Sequence, residues 1–489
     1  MRPAAWHAEG PPDPAEVAAC DRRHFWHPFT QMKEWEASEP LIVESGEGVR
    51  LRDLHGRWYY DGNSSLWVNL HGHRKEAIDR AIVAQLGRVA HSTTLGLANV
   101  PSALLAARLA ALAPAGLTRV FFSDNGACAV EIALKMAYQY WRHRGRPEKR
   151  RFVSLENGYH GDTLGAVSVG GIDRFHAAFR DLLFQSLRAP SPYCYRCPLG
   201  VDPARRPEAG REPSVAQAAA GRAAGDAAAA PPCGLACAEA LGAILERHAG
   251  EVAAVILEPL VQAAGGMITA PPGYLRRVRD LCDRHGVLLI ADEVATGFGR
   301  TGRMFACEHE GVSPDLMTVA KGITGGYLPL AATLATEEIY AAFLGEHRDG
   351  KTFYHGHSYT GNQLACAAAL ANLDVFEEER VLESLPEKVA RVAEGLERFR
   401  ELPHVGDVRQ RGLMVGIELV RDQATGEPYP WEEAMGARVC RRSTELGMIT
   451  RPLGDVVVFL PPLASTLADL DAMLDILYRA VAEVTGAVG

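Results

Sequence analysis

Short apolar runs alternate with helical patterns through the middle of the chain. The runs RVFFS, RFVSL, VAAVILE, VLLIADE and DLMTVA show no regular alternation of apolar and polar residues. Strands of a parallel sheet have this pattern when helices cover both faces of the sheet. The sequence therefore predicts a large α/β domain over about residues 71–345, built on a mostly parallel sheet.

The hydrophobic patterns near the two ends of the chain differ from the pattern in the middle. Near the N-terminus, LIVESGEGVRLRDLHGRWYYDG alternates and breaks at glycines, which predicts short antiparallel strands. Toward the C-terminus, a helix-rich stretch leads into GLMVGIELV and VVVFLPPL and then into a final helix. We expect residues 1–70 to begin with a loose tail over 1–20 and then to join a smaller α+β domain, which residues 346–489 complete after a connecting helix.

One segment interrupts the alternation of apolar runs and helical patterns. Residues 203–232 are low in complexity and poor in large apolar side chains. Such a segment cannot bury enough surface to offset the entropy lost on ordering. We therefore expect a surface insertion in the large domain at about residues 195–235.

Composition narrows the function classes. The 489 residues are 47% hydrophobic and 23% charged, which is typical of a globular protein with a large core. A net charge of −9 gives no general attraction to nucleic acid or anionic membranes. No apolar run approaches the roughly 18 residues of a membrane span, and the first residues lack the pattern of a signal peptide. We expect a cytoplasmic metabolic enzyme with small-molecule substrates.

Two polar residues follow apolar strands of the predicted sheet. Asp292 ends VLLIAD, where a carboxylate either caps the next turn or faces a ligand, since ligands gather at the carboxyl ends of such strands. Lys321 follows DLMTVA and opens a glycine-rich loop that lacks the GxxxxGK[ST] pattern of a phosphate-binding loop. A desolvated lysine can form a Schiff base with pyridoxal phosphate (PLP), and PLP needs an acid opposite its ring nitrogen. Together the two residues predict a PLP site.

Three further segments could serve such a cofactor. In SDNGACAVE, the backbone amides of Gly126 and Ala127 could bind a phosphate, although an ordinary capped helix has the same pattern. In ENGYHGDT, Tyr159 could stack on a planar ring or be a surface tyrosine in a turn. In HGHSYTGN, the hydroxyls of Ser358 and Thr360 could provide another phosphate contact.

Taken in order along the chain, these segments resemble one family. SDNGACAVE, NGYHGDT, LEPLVQAAGGM, ADEVATGFGRTG, AKGITGGYLP and HGHSYTGN resemble the class-III, fold-type I PLP aminotransferases over about residues 24–480, apart from the insertion. The resemblance implies a large domain with a mostly parallel seven-stranded sheet, a smaller α+β domain, and a homodimer with shared active sites.

The resemblance also implies roles for single residues. Lys321 would bind the cofactor and move protons, Asp292 would pair with its ring nitrogen, and Tyr159 would stack on its ring. Further cofactor contacts would come from Gly126, Ala127 and Glu258 and, across the dimer, from His357 and Ser358. Substrate contacts would come from Leu66, Trp67, Tyr159, Lys321, Gly356 and Arg451, with Arg451 binding a substrate carboxylate. Asp162 and Arg300 would shape the pocket.

Four longer segments narrow the resemblance to the biotin-pathway branch of this family. FWHPFTQM, DGNSSLWVNLHGH, YHGDTLGAVSVGG and TRPLGDVVVFLPPL resemble enzymes that convert 8-amino-7-oxononanoate to 7,8-diaminononanoate. Members that use S-adenosylmethionine as amino donor usually carry a tryptophan in place of Leu66, a tyrosine in place of Phe29 and a serine in place of Ala127. Members that use lysine lack that tryptophan. The donor therefore stays open between S-adenosylmethionine and lysine.

Two other functions also stay open. One is a general ω-amino acid or polyamine aminotransferase of the same family, which FWHPFTQM and TRPLGD disfavour. The other is a non-catalytic PLP-binding regulator, which the negative net charge disfavours because such a protein carries a DNA-binding domain.

Two pairs of cysteines bracket the insertion. Cys194 and Cys197 precede it, and Cys233 and Cys237 follow it. Four thiolates at such spacings can hold a structural zinc ion. A disulfide pair or unrelated buried thiols are the alternatives. We expect the metal to pin the base of the insertion.

Overall fold

The computed structural model describes residues 13–201 and 233–486. The low-complexity part of the predicted insertion lies outside the described residues. The strands are β1 (Val43–Glu47), β2 (Arg50–Asp53), β3 (Trp58–Asp61), β4 (Leu117–Ser123), β5 (Arg151–Leu155), β6 (Leu187–Ala189), β7 (Val252–Leu257), β8 (Val261–Gln262), β9 (Ile268–Thr269), β10 (Leu288–Asp292), β11 (Leu316–Val319), β12 (Ala331–Thr336), β13 (Val405–Arg411), β14 (Met414–Leu419), β15 (Met448–Ile449), β16 (Pro452–Leu453) and β17 (Val456–Phe459).

Helices connect and cover these strands. They are α1 (Pro14–His24), α2 (Met32–Ala37), α3 (Ser64–Trp67), α4 (Glu76–Leu86), α5 (Val100–Leu112), α6 (Gly126–His143), α7 (Leu164–Val169), α8 (Asp173–His176), α9 (Ala236–His248), α10 (Tyr274–His285), α11 (Glu337–Ala342), α12 (Gln363–Glu378), α13 (Val381–Glu397), α14 (Met435–Glu445) and α15 (Leu467–Thr485). Among the described helices, none combines the length and apolar character that a membrane crossing requires.

The largest sheet has seven strands in the order β4-β12-β11-β10-β7-β5-β6. Strand β12 runs antiparallel to both of its neighbours, and the other pairs are parallel. The predicted seven-stranded, mostly parallel sheet is confirmed. Because only β12 is reversed, the other six strands end at the same edge of the sheet, and loops after them converge there.

Burial explains why these strands form. Every residue of β7 and of β10 is buried, as unalternating apolar runs predict. Helix α6 buries one face against the sheet through Val130, Ala133, Leu134 and Ala137. The sheet edge that carries the functional loops is thus supported by a packed core.

Both ends of the chain build the smaller sheets. Strands β1, β2 and β3 pair antiparallel, as predicted, and β15 from the C-terminal part adds to β3 in parallel. A second antiparallel sheet has the order β13-β14-β17-β16. This pairing is consistent with a smaller domain built from both termini, and the boundaries at residues 70 and 345 stay a prediction.

The predicted loose tail is wrong for its later part. Helix α1 begins at Pro14, and the side chain of Asp13 accepts a hydrogen bond from the Ala15 amide at 3.0 Å. An aspartate cap followed by proline is a strong start signal for a helix. The Ala-rich composition of residues 1–20 hid this signal.

Candidate active site

A cavity of about 720 Å³ lies where the parallel strands end. Five strands deliver predicted site residues to it through the loops that follow them. These residues are Gly126 and Ala127 after β4, Tyr159 after β5, Glu258 after β7, Asp292 at the end of β10, and Lys321 after β11. Residues far apart in sequence thus meet because the strand ends share one edge.

Asp292 is held by three hydrogen bonds. His160 Nδ1 lies 2.6 Å from its Oδ2. The Thr318 hydroxyl and the Val294 amide donate to Oδ1 at 3.0 and 3.1 Å. Asp292 and His160 are both buried, at 3% and 4% exposure. The carboxylate is therefore fixed in one orientation at the floor of the cavity.

Lys321 sits in a strained and desolvated position. Its φ of 49° lies in the left-handed region, which costs an L-residue about 1–2 kcal/mol. Burial lowers the pKa of its amine, and the negative charges of Asp292 and Glu258 oppose that shift. The ring centroid of Trp67 lies 4.8 Å from Nζ. A lysine with a lowered pKa is available as a nucleophile or base near neutral pH.

Glu258 is a third buried group of the cavity. It is 7% exposed and accepts hydrogen bonds from the amides of Tyr159 at 3.0 Å and Ala263 at 2.9 Å. Burial raises the pKa of its carboxyl to about 7, while the charge of His160 and the two amides act in the opposite direction. Glu258 therefore changes protonation near neutral pH.

Glu258→Gln is expected to make the free energy of unfolding of the cofactor-free protein less dependent on pH. The folded pKa of about 7 lies above the ordinary 4.5, so this group stabilises the fold fully below the lower value and loses that contribution as pH rises through the higher one. The loss is at most about 3.5 kcal/mol, at ~1.4 kcal/mol per pKa unit. Denaturant titrations across this pH window measure it, with the exposed Glu246→Gln as control. Parallel profiles for wild type and Glu258→Gln would contradict the expectation.

Tyr159 lines the cavity, and Arg451 lies near Tyr159 without lining the cavity. The Tyr159 hydroxyl donates to Asp162 Oδ2 at 2.6 Å, and burial raises its pKa. Arg451 is close enough for its charge to act on Tyr159 in the opposite direction. Burial lowers the pKa of Arg451, and within residues 13–201 and 233–486 no carboxylate pairs with it. Its guanidinium is available for a substrate carboxylate.

The start of α6 packs tightly against the floor of the cavity. The Asn125 side chain caps the helix by accepting from the Cys128 amide at 3.0 Å. A Cβ at Gly126 would lie 2.7 Å from Val294 Cγ1, so glycine permits this close approach. Gly126 and Ala127 line the cavity, and backbone amides in the first turn of a helix can bind an anion.

The loop with Gly356, His357 and Ser358 reaches the same end of the cavity. Within one protomer, His357 Nδ1 lies 3.3 Å from Asp124 Oδ2, and Asp124 lines the cavity. Gly356 and Ser358 are exposed beside it and do not line the cavity of this protomer. Their contact with a second subunit stays a prediction.

The N-terminal segment approaches from the substrate side. Trp67 lines the cavity and is 5% exposed, whereas Leu66 is 44% exposed and does not line it. The Phe29 ring lies 5.4 Å from Phe175, whose ring lies 6.3 Å from Tyr159. Leu66 therefore adjoins the cavity residue Trp67, whereas Phe29 is separated from the cavity residue Tyr159 by the ring of Phe175.

Sequence reasoning assigned no role to two residues that the fold brings to Asp292. They are His160 and Thr318. Thr318 is the residue opposite Asp292 in the β10–β11 register. A polar residue inside the apolar run DLMTVA is the signal that could have pointed to it, because a buried hydroxyl requires a partner.

The predicted zinc site is not supported. Cys194, Cys197, Cys233 and Cys237 line one small cavity. Among the described residues, no group of three or more histidine, cysteine, aspartate or glutamate side chains is arranged to hold a metal ion. The four thiols lie around one cavity, but they do not form a group arranged to hold a metal ion.

Comparisons with known sequences and structures match this chain to aminotransferases. The sequence profile of the class-III aminotransferases matches residues 31–481. An adenosylmethionine-8-amino-7-oxononanoate aminotransferase of Geobacter sulfurreducens is 55% identical over 466 residues, covering 95% of this chain and 97% of the relative. A crystal structure of the Methanocaldococcus jannaschii enzyme of that name superposes with a TM-score of 0.87 at 45% identity, covering 96% of this chain and 99% of the other. An (S)-enantioselective omega-transaminase from Thermomicrobium roseum superposes with a TM-score of 0.86 at 35% identity, covering 96% and 99% of the two chains.

Proposed function

Because this chain belongs to the class-III aminotransferase family, we propose that it is a PLP enzyme that transfers an amino group to 8-amino-7-oxononanoate and so makes 7,8-diaminononanoate for biotin. The observation that carries the proposal is the end-to-end similarity to enzymes named for that acceptor, and Arg451 near the cavity residue Tyr159 supports it.

The residues of the cavity fit PLP. Lys321 offers a buried amine and Asp292 a fixed carboxylate, on neighbouring strands of one sheet. The α6 amides at Gly126 and Ala127 would hold the phosphate, and Tyr159 would cover the ring. The cavity volume of about 720 Å³ lies within the roughly 300–1,000 Å³ that small-molecule sites occupy. When bound, PLP supplies an electron sink that lets an amino group leave one carbon skeleton and join another.

Several residues of this chain would each have a separate role in the transfer. Lys321 Nζ would take a proton from the carbon that loses the amino group and deliver a proton to the carbon that gains one. Its lowered pKa suits both roles near neutral pH. Asp292 would hold positive charge at the floor of the site, and its three hydrogen bonds prevent it from turning away. Trp67 and Tyr159 would exclude water from the reacting carbon.

Arg451→Lys is expected to raise KM for 8-amino-7-oxononanoate. The guanidinium can bind the acceptor's carboxylate through two parallel hydrogen bonds, which an ammonium cannot reproduce. Loss of charge-assisted bonds worth about 1.5–3 kcal/mol corresponds to roughly 10–100-fold. Steady-state kinetics with the acid and with its methyl ester measure the effect.

The ester serves as the control for Arg451. Wild type should prefer the acid by a similar factor, and Arg451→Lys should discriminate little between acid and ester. If the variant still preferred the acid as strongly as wild type does, Arg451 would not bind the carboxylate.

We propose S-adenosylmethionine as the amino donor, because the relatives at 50–55% identity are named for it. Leu66 removes one aromatic surface near the cavity, so a lysine donor is the alternative. Each donor is mixed separately with the PLP form, and the visible absorbance of the bound cofactor is followed. Bleaching by S-adenosylmethionine alone supports the proposal, and bleaching by lysine alone overturns it.

An acceptor panel tests the substrate assignment. Amino transfer to 8-amino-7-oxononanoate is expected to exceed transfer to the keto or aldehyde acceptors of ornithine, 4-aminobutyrate and polyamines. A general ω-aminotransferase is the second candidate, since several similar structures are omega-transaminases. A flat profile across the panel would favour that candidate.

The proposal includes a homodimer and a cytoplasmic location. Exposed apolar side chains at Leu95, Leu97, Val100 and Leu104 support an interface on that surface. Light scattering of the purified protein tests the dimer.

A further inference from the structure

The segment that carries Trp67 has an uncommon backbone. Ser64, Ser65, Leu66 and Trp67 have φ values of 45°, 44°, 68° and 70°, so α3 is a single left-handed turn. None of the four is a glycine, and L-residues meet a steric penalty in this region. Contacts outside the turn must therefore hold it in place.

A buried carboxylate supplies such contacts. Asp61 accepts a hydrogen bond from the Ser65 amide at 2.7 Å and another from the Ser65 hydroxyl at 2.8 Å. His73 Nε2 lies 3.1 Å from the same carboxylate. Asp61 is 1% exposed. The buried Asp61 carboxylate is thus hydrogen-bonded to Ser65 within the strained turn.

Further bonds fix how the turn is oriented. The Trp67 indole donates to Asn63 Oδ1 at 2.9 Å. Just after the turn, Arg300 donates to the Asn69 carbonyl at 2.8 Å and to the Pro461 carbonyl at 2.9 Å. Burial lowers the pKa of Arg300 to about 9, and the nearby negative charge of Asp61 offsets part of that shift. The turn is anchored on both sides of Trp67.

These contacts fix the position of the Trp67 ring. Trp67 is 5% exposed, lines the cavity and lies with its ring centroid 4.8 Å from Lys321 Nζ. We propose that Asp61 is a positioning residue: its carboxylate holds the left-handed turn, so that Trp67 covers Lys321 and limits where a substrate approaches the amine. This inference rests on the proposed function, because it takes Lys321 as the reacting group.

A double-mutant cycle tests whether Asp61 acts through Trp67. Asp61→Asn is expected to lower kcat/KM for the amino donor by about tenfold or more, because the amide cannot accept all three contacts. In a Trp67→Leu background the same substitution should cost less than about threefold, since coupled residues are non-additive. Equal losses in both backgrounds would overturn the proposal.

A second readout does not depend on activity. Hydrogen exchange of the peptide spanning residues 62–70 is expected to be at least about tenfold faster in Asp61→Asn, because the amide nitrogen in place of Oδ2 cannot accept the bond from the Ser65 hydroxyl and the turn opens more often. Asp53→Asn is the matched control: Asp53 is equally buried, accepts from the Arg57 amide and the Tyr59 hydroxyl, and lies on the adjacent strand. It should leave exchange of that peptide unchanged. Unchanged exchange in Asp61→Asn would also overturn the proposal.

Two additions keep the test decisive. If Asp61→Asn does not fold, Ser65→Ala removes only the hydroxyl bond and should show the same non-additivity at smaller size, about two- to fivefold. Kinetics are measured with a simple primary amine as well as with S-adenosylmethionine. A wild type that uses neither biotin-pathway substrate contradicts the proposed function, whereas additive effects on the simple amine contradict only the role of Asp61.

Discussion

Replacing Lys321 by alanine is expected to lower kcat by at least ~10²–10⁴-fold, the usual contribution of a positioned proton-transfer group. The Lys321 amine lies just after β11, near Asp292 and the ring of Trp67. Its removal takes away both the anchor of the cofactor and the carrier of the proton. Single-turnover kinetics and the absorbance of bound PLP measure the two losses separately.

Lys321→Arg is the matched control for charge. Arginine keeps a positive charge at the site but does not give up its proton near neutral pH. It should therefore be as inactive as alanine while remaining folded by circular dichroism. Near-native turnover in either variant would remove Lys321 from the mechanism.

Asp292→Asn is expected to lower kcat by about 10²–10³-fold, the loss that follows removal of one preorganised electrostatic group. Asparagine has almost the same shape, so the Thr318 and Val294 bonds to Oδ1 can persist. The negative charge and the bond from His160 to Oδ2 are lost. Turnover with saturating donor and acceptor measures the effect.

Asp315→Asn is the control for Asp292→Asn. Asp315 lies at the opposite end of β11, where it accepts from Arg279 and from the Leu289 amide at 2.8 and 2.7 Å. This variant should lose stability but keep kcat within a few-fold of wild type. If the two variants lost turnover equally, the effect of Asp292 would be on folding rather than on chemistry.

Strands with strong apolar runs could be predicted from sequence, and weaker ones could not. RFVSL corresponds to β5 residue for residue, and VLLIADE contains β10. The pattern did not indicate β12, AATLAT, because its small residues carry little hydrophobic signal. It also missed β6, which has three residues and only one buried side chain. Short or small-residue strands depend on partners that only the fold supplies.

Some residues of the candidate site could likewise be predicted from the sequence, and others could not. Asp292 and Lys321 could be predicted because both follow buried strands, and parallel strands end at one edge. The roles of His160 and Asp61 could not, because each depends on a partner brought near by tertiary structure. The zinc prediction was not supported for a related reason: spacing along the chain does not tell whether the side chains adopt the arrangement that a metal ion needs, and no such group is present among the described residues.

The most direct measurement separates the two half-reactions. The PLP form is mixed with S-adenosylmethionine, freed of donor by gel filtration, and then mixed with 8-amino-7-oxononanoate. We expect about one 7,8-diaminononanoate per subunit and recovery of the PLP absorbance, because the bound cofactor would hold the amino group between the two substrates while Lys321 moves the protons. Absence of the product after donor removal, with the cofactor spectrum unchanged by either substrate, would contradict the account.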